Sequence, residues 1–168
     1  MRLAAAGLPF LLLAACSGGG SAGNAATPQD LESAAIERGL VRDPSDSDVT
    51  GLYARDTDRV CVIRKGDAYR IGAFVDYGDG LSCAGSGTAT RAGETLSVRL
   101  EGKGGIACAF DARFDGERIT FPANVPAECA RFCGPRASFA ALDADRLSES
   151  AAEARALRSA DGARLCED

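Results

Sequence analysis

Between Val49 and Phe121 apolar and polar residues alternate with period two, broken roughly every ten residues by a turn signal. These signals are Lys65-Gly66-Asp67, Asp79-Gly80, Ala92-Gly93, the run from Gly102 to Gly105, and Asp115-Gly116. From Tyr69 to Tyr77 the odd positions are apolar, so Ile71, Ala73 and Val75 are expected inside and Phe74 on the opposite face. Leu96, Val98 and Leu100 repeat the pattern against Ser97 and Arg99, and Ile106, Cys108, Phe110 and Phe114 line one face of the strand that follows. The pattern predicts seven antiparallel strands, near 49–55, 58–65, 68–77, 81–90, 94–101, 105–114 and 117–122. A sequential meander of this kind is expected to curl into a small barrel or half-barrel, because curling reduces the edges a flat sheet exposes. Gly72, Gly85 and Gly87 fall inside strands, where a sheet bends or another backbone comes close.

Helical signals flank the meander. Thr27 as N-cap, Pro28 at the first helical position and Gly39 past the end bracket a short helix carrying Leu31, Ala34, Ala35 and Ile36, and Pro44 forbids its continuation. Beyond Phe121, Pro122 and Pro126 lead into a helical turn through Cys129 and Cys133 that Gly134-Pro135 ends. A capping box, Ser150 to Glu153, opens a second helix with the stripe Leu147, Ala151, Ala154 and Leu157, closed by Gly162. Residues 27–168 therefore read as one mainly β domain with a helical tail from about residue 123, long enough to bury about two thirds of its surface.

Cysteines add a constraint. Leaving Cys16 aside, Cys61, Cys83, Cys108, Cys129, Cys133 and Cys166 form an even set, read as three disulfides formed in an oxidising compartment. Cys129 and Cys133 on one helical turn would sit about 5–6 Å apart at Cβ, against the ~3.8 Å a disulfide wants, so each is expected to reach elsewhere. The pairing anticipated is Cys61 with Cys83, Cys108 with Cys129, and Cys133 with Cys166, the last fastening the tail to the body.

At the other end, Arg2 precedes an apolar run from Leu3 to Leu13, well short of the ~20 residues of a spanning helix. The run closes on Leu13-Ala14-Ala15-Cys16, which resembles the lipobox of bacterial lipoproteins. The resemblance covers residues 1–16. It implies a signal peptide over 1–15, cleavage before Cys16, diacylglycerol on the Cys16 thiol, and acylation of the new amine with a chain such as palmitate. At about 0.8 kcal/mol per buried CH₂, two or three chains hold permanently. The family's sorting rule reads Ser17 as a pass to the outer membrane, so the protein is expected to be lipid-anchored there, facing the periplasm. Ser17 to Ala26, rich in Gly, Ser and Ala, reads as a flexible tether that makes 16–26 a lipidated spacer.

Charge and absent residue types narrow the chemistry. Loss of Arg2 with the leader takes the formal net charge from −5 to −6, with no basic cluster, so nucleic acid is not an expected partner. Histidine is missing from the sequence, which removes Ser-His-Asp and Cys-His nucleophile systems and His-containing zinc sites. Gly19-Gly20-Ser21-Ala22-Gly23 has the letters of G-x-S-x-G but lies in the tether. Cys129-Ala130-Arg131-Phe132-Cys133 has the C-x-x-x-C spacing of copper-binding thioredoxin-like lipoproteins, without their histidine or βαβ core, and is assigned to structural disulfides. Asp46-Ser47-Asp48-Val49-Thr50-Gly51 copies half a calcium loop, but Thr57 stands where the closing glutamate belongs. Gly85-Ser86-Gly87 continues into a strand, not an anion-binding helix. Asp111, Asp115 and Glu117 are read as surface and turn carboxylates, not an acid/base group.

No catalytic residue, metal site or cofactor is assigned. The expected function is a non-enzymatic interaction or inhibitor-type module, partnered by the membrane through its anchor and by another envelope protein, with Phe74 and Tyr77 as the candidate contact surface. The layout loosely resembles small β-barrel lipoproteins such as periplasmic lysozyme inhibitors at the level of fold alone. The alternative is a small-ligand barrel of the calycin type, with the small residues of strand 81–90 leaving room inside, unless they accommodate the C-terminal helix.

Overall fold

The computed structural model describes residues 31–40, 43 and 47–167. Cys16 and the lipobox, the tether, Thr27, Pro28, Pro44 and Asp46 lie outside them. Within them the chain runs α1 (Leu31–Glu37), β1 (Gly51–Arg55), β2 (Asp58–Lys65), β3 (Ala68–Asp76), β4 (Ser82–Ala92), β5 (Thr95–Glu101), β6 (Ala107–Phe114), β7 (Arg118–Thr120), β8 (Asp143–Ser148) and α2 (Ala151–Ala156). Each strand pairs antiparallel with the next, and β8 returns to pair with β1, closing the barrel. Hairpin turns fall where the glycine signals place them; Gly66 and Gly93, for example, hold φ of 63° and 61°, which a side chain would resist.

Alternation decides what faces in. Val60 and Val62, Ile71 and Val75, Leu96, Val98 and Leu100, then Cys108, Ala112 and Phe114, are buried and form one continuous core. A second, separate cluster lies outside the barrel wall, where α2 and the segment after it cover Cys61 and Ile63 of β2 with Ala154, Leu165 and Cys166. Leu52, Phe74 and Leu157 pack at its margin. Gly72 makes that docking possible: a Cβ there would lie 2.6 Å from Leu165 Cβ and 2.9 Å from Cys61 Sγ.

Three expectations need correction. The barrel has eight strands, because the expected helical tail contains β8, and Leu147 is an exposed strand residue, not part of a helical stripe. The last helix ends at Ala156, six residues before Gly162, which instead serves the turn from Ser159 to Ala163. Ser150 does cap α2 as expected, accepting from the Glu153 N–H at 3.4 Å. The disulfides are Cys61–Cys166, Cys83–Cys133 and Cys108–Cys129, so only the last matches the anticipated pairing. Cys61 points out of the barrel toward the tail and Cys83 points into it, so the two cannot be partners.

Candidate functional site

A barrel of this size can hold a ligand in its lumen or present its surface, and the two mouths decide between them. At the mouth where β1 begins, Tyr53 of β1 and Phe114 of β6 meet edge to face, 6.3 Å between centroids. The Arg146 guanidinium of β8 lies 5.4 Å from both ring centroids, and that of Arg91, on β4, lies 4.9 Å from Phe114. Both arginines also clamp the chain that crosses the mouth. Arg146 Nη2 donates to the carbonyls of Asp48 at 2.8 Å and Gly116 at 2.9 Å, while Arg91 donates to those of Ser47 and Gly93. The Tyr53 hydroxyl donates to the Val49 carbonyl at 2.7 Å, and burial holds its pKa well above the ordinary tyrosine value, so it remains a donor. The arginines that close this mouth are the residues sequence reasoning missed. Their signal is parity: Arg91 continues the inward series Gly85, Gly87, Ala89.

Outside this cap a depression of about 470 Å³ is lined by Asp48, Arg64, Asp67, Tyr69 and Arg91. Two of its charges are matched to each other. Asp48 accepts from the Thr50 N–H at 2.8 Å and pairs with Arg64 at 3.1 Å, while Arg64 also donates to the Tyr69 hydroxyl at 3.0 Å. Partial burial pushes the Asp48 carboxyl up, but the Thr50 donors and Arg64 together outweigh it and hold the pKa below the usual carboxylate value.

The opposite mouth is filled by the long connection from Phe121 to Leu142. It carries a 3₁₀ helix, Ala127–Phe132, which Cys129 fastens to Cys108 of β6, and just beyond it Cys133 fastens to Cys83 of β4. Phe121 and Phe139 are buried, and Phe110 packs on Phe121 with 4.7 Å between ring centroids and a 58° tilt between the rings. Gly85 of β4 is thereby accounted for, whereas a Cβ at Gly87 would collide with the Arg99 carbonyl of β5. A Cβ at Gly85 would lie 3.0 Å from Leu100 Cδ1, 3.3 Å from Phe132 and 3.4 Å from Phe139, so the room belongs to aromatic rings of this plug, not to the C-terminal helix.

The proposed contact residues separate. Phe74 is half-buried against the α2 cluster and not exposed, because the tail covers the wall it projects from. Tyr77 is 54% exposed, and its hydroxyl donates to the Ser138 carbonyl at 2.9 Å, so it latches the plug from outside. The carboxylates considered as an acid/base group have separate tasks. Asp111 accepts from Ser97 Oγ at 2.8 Å, Asp115 caps its turn by accepting from the N–H groups of Glu117 and Arg118, and Glu117 lies 3.7 Å from Arg146 Nε.

The outer wall of β4, β5 and β6 differs in character. Thr88, Thr90, Ser97, Arg99, Ala109 and Asp111 line a shallow, open depression of about 510 Å³, and all six are exposed. Neither a protein-family model, nor a curated protein, nor a solved structure matches this chain.

Proposed function

We propose that the chain is a bacterial lipoprotein, anchored in the outer membrane through Cys16 and facing the periplasm, whose barrel works by surface contact with another envelope protein as a non-enzymatic, inhibitor-type or adaptor module. The observation that carries this reading is a continuous buried side-chain core behind two closed mouths. Arginine and aromatic side chains close one mouth and a disulfide-fastened aromatic plug closes the other, which leaves the exterior for recognition. Disulfide bracing supports export, since such bonds persist in oxidising compartments. The lipobox at Leu13 to Cys16 supplies the address.

The test is site-specific photo-crosslinking in cells of the native producer, with a photoreactive residue placed in turn at Thr90, Tyr77 and Arg155. A discrete protein adduct from one position and not the others is expected. Absence of any adduct, with a small molecule released from the purified chain in native mass spectrometry, would overturn the reading, as would a chain recovered with residues 1–15 uncleaved.

A further inference from the structure

We infer that the outer edge of β6 is a docking edge for an extended segment of a partner polypeptide, which adds as an antiparallel strand beside Ala107, Ala109 and Asp111. The closed barrel hides this edge in its topology. β6 pairs with β5 along its length, from Glu101↔Ala107 to Thr95↔Arg113, but with β7 only at Arg113 and Phe114. The bond from Phe114 N–H to the Glu94 carbonyl at 2.7 Å fixes the parity, so Cys108, Phe110, Ala112 and Phe114 turn their backbone groups to β5. Odd residues turn theirs the other way, as the bond from Asp115 N–H to the Arg118 carbonyl confirms. Arg113 meets Thr120 there. Ala107, Ala109 and Asp111 meet no strand, because after Thr120 the chain leaves β6: Phe121 N–H bonds to the Leu142 carbonyl and the connection runs on into the plug. Among the described residues no backbone hydrogen bond joins these three to the plug, and Ala109 and Asp111 are exposed.

The chemistry of the edge names its occupant. Outward N–H and C=O groups repeating every second residue, about 6.8 Å apart, match the backbone of another strand. Edges are guarded by charged side chains, proline, bulges or a covering segment; here Ala107 and Ala109 carry the smallest side chains, and Asp111 is the one charge among the three. Cross-strand pairing then favours a bulky residue opposite Ala109 and a basic one near Asp111. A second copy of this chain fits poorly: two β6 edges paired about Asp111 would oppose like charges, and paired about Ala109 would set alanine against alanine.

This inference rests on the interaction-module reading and specifies the form of the contact. Its test uses the mature lipidated chain in detergent micelles, panned against a phage-displayed library of nine-residue peptides, with amide hydrogen exchange on the same sample. Ala109 and Asp111 amides should exchange quickly in the free chain, Phe110 and Ala112 slowly, and selected peptides should protect the first pair. Ala109→Pro removes the outward N–H and leaves the β5 ladder intact; it should keep the melting temperature and weaken peptide binding at least ten-fold. If that variant fails to fold, protection of Ala109 and Asp111 by peptide in the wild type decides alone. Enrichment of no peptide, equal binding by Ala109→Pro, or slow exchange at both amides in the free chain would overturn the inference. Protection that depends on protein concentration without peptide would overturn it in favour of self-pairing. Crosslinks to a protein partner from another face would leave the module reading standing and sink this edge.

Discussion

Phe139→Ala tests whether the lumen is truly packed, on which the functional reading turns. Phe139 is fully buried, its ring lies 6.4 Å from that of Phe121, and its tip reaches the space a side chain at Gly85 would need. Burial of one such side chain contributes about 1.5–3 kcal/mol, and the cavity left by a rigid surround raises the cost of truncation to about 3–5 kcal/mol. The surround is restrained here because Cys83–Cys133 and Cys108–Cys129 fasten the connection to two barrel strands just ahead of Phe139, which limits its sliding inward to fill the gap. Against a total stability of about 5–15 kcal/mol, the loss should be plain. The assay is guanidinium unfolding of the oxidised chain followed by far-UV circular dichroism, since the sequence holds no tryptophan. A parallel shift of the midpoint at unchanged slope is expected. The variant should also bind benzene or xenon, as dry apolar cavities do. A loss below about 1 kcal/mol, with no gain in apolar ligand binding, would show that Phe139 borders a yielding or hydrated interior. The ligand-barrel reading would then return.

Three further outcomes follow from the geometry. Replacing each disulfide by an alanine pair should destabilise in order of the loop it closes: sequence separations of 21, 50 and 105 for Cys108–Cys129, Cys83–Cys133 and Cys61–Cys166 give about 3.3, 4.1 and 4.8 kcal/mol from chain entropy. A reversed order in denaturant titrations would refute a denatured-state origin. Gly72→Val should drive Leu165 and the tail off the wall, read as free thiols at Cys61 and Cys166 in mass spectrometry and as early proteolytic cleavage after residue 149; a fully oxidised, resistant variant would refute the close approach. Asp48 has a folded pKa below the ordinary aspartate value, so its contribution is complete at neutral pH and is lost as pH falls through that lowered value. Protection of the Thr50 amide should fall in acid and lose its pH dependence in Asp48→Asn; protection unchanged down to pH about 2 would refute the pairing.

The strands through Thr120 were legible because turn signals bound them and all but β2 keep inward residues at alternate positions. β8 was not, because its polarity is inverted: Ala144 is buried, the Arg146 side chain is only 7% exposed, and Leu147 points to solvent. A charged residue can occupy that inward position only because Tyr53 and Phe114 offer ring faces and the crossing chain offers carbonyls, a constellation assembled from three distant parts of the sequence. The disulfide pairing was hidden for a related reason, since it depends on the path of the connection from 121 to 142, which has no period to read. One signal for the outer cluster was present. Val60 to Ile63 is an unbroken apolar run, and a strand apolar on both sides is covered on both sides. It pointed to a covering element over Cys61, and so toward the tail instead of Cys83.

The three disulfides share a structural logic. Each joins a barrel strand to a segment outside the meander ladder: β2 to the tail, β4 to the end of the plug, β6 to the 3₁₀ helix within it. None joins two barrel strands, where hydrogen-bond ladders already fix the register. Oxidation is therefore spent on the parts that regular structure leaves loose, and those parts fill one mouth and cover one wall. In a reducing environment the ladders would persist while the plug and tail relied on apolar contacts and single bonds such as Tyr77 to Ser138. Opening the plug would uncover Phe121 and Phe139, two large apolar surfaces prone to association. The plug and the tail are thus the parts of this chain that reduction would loosen first.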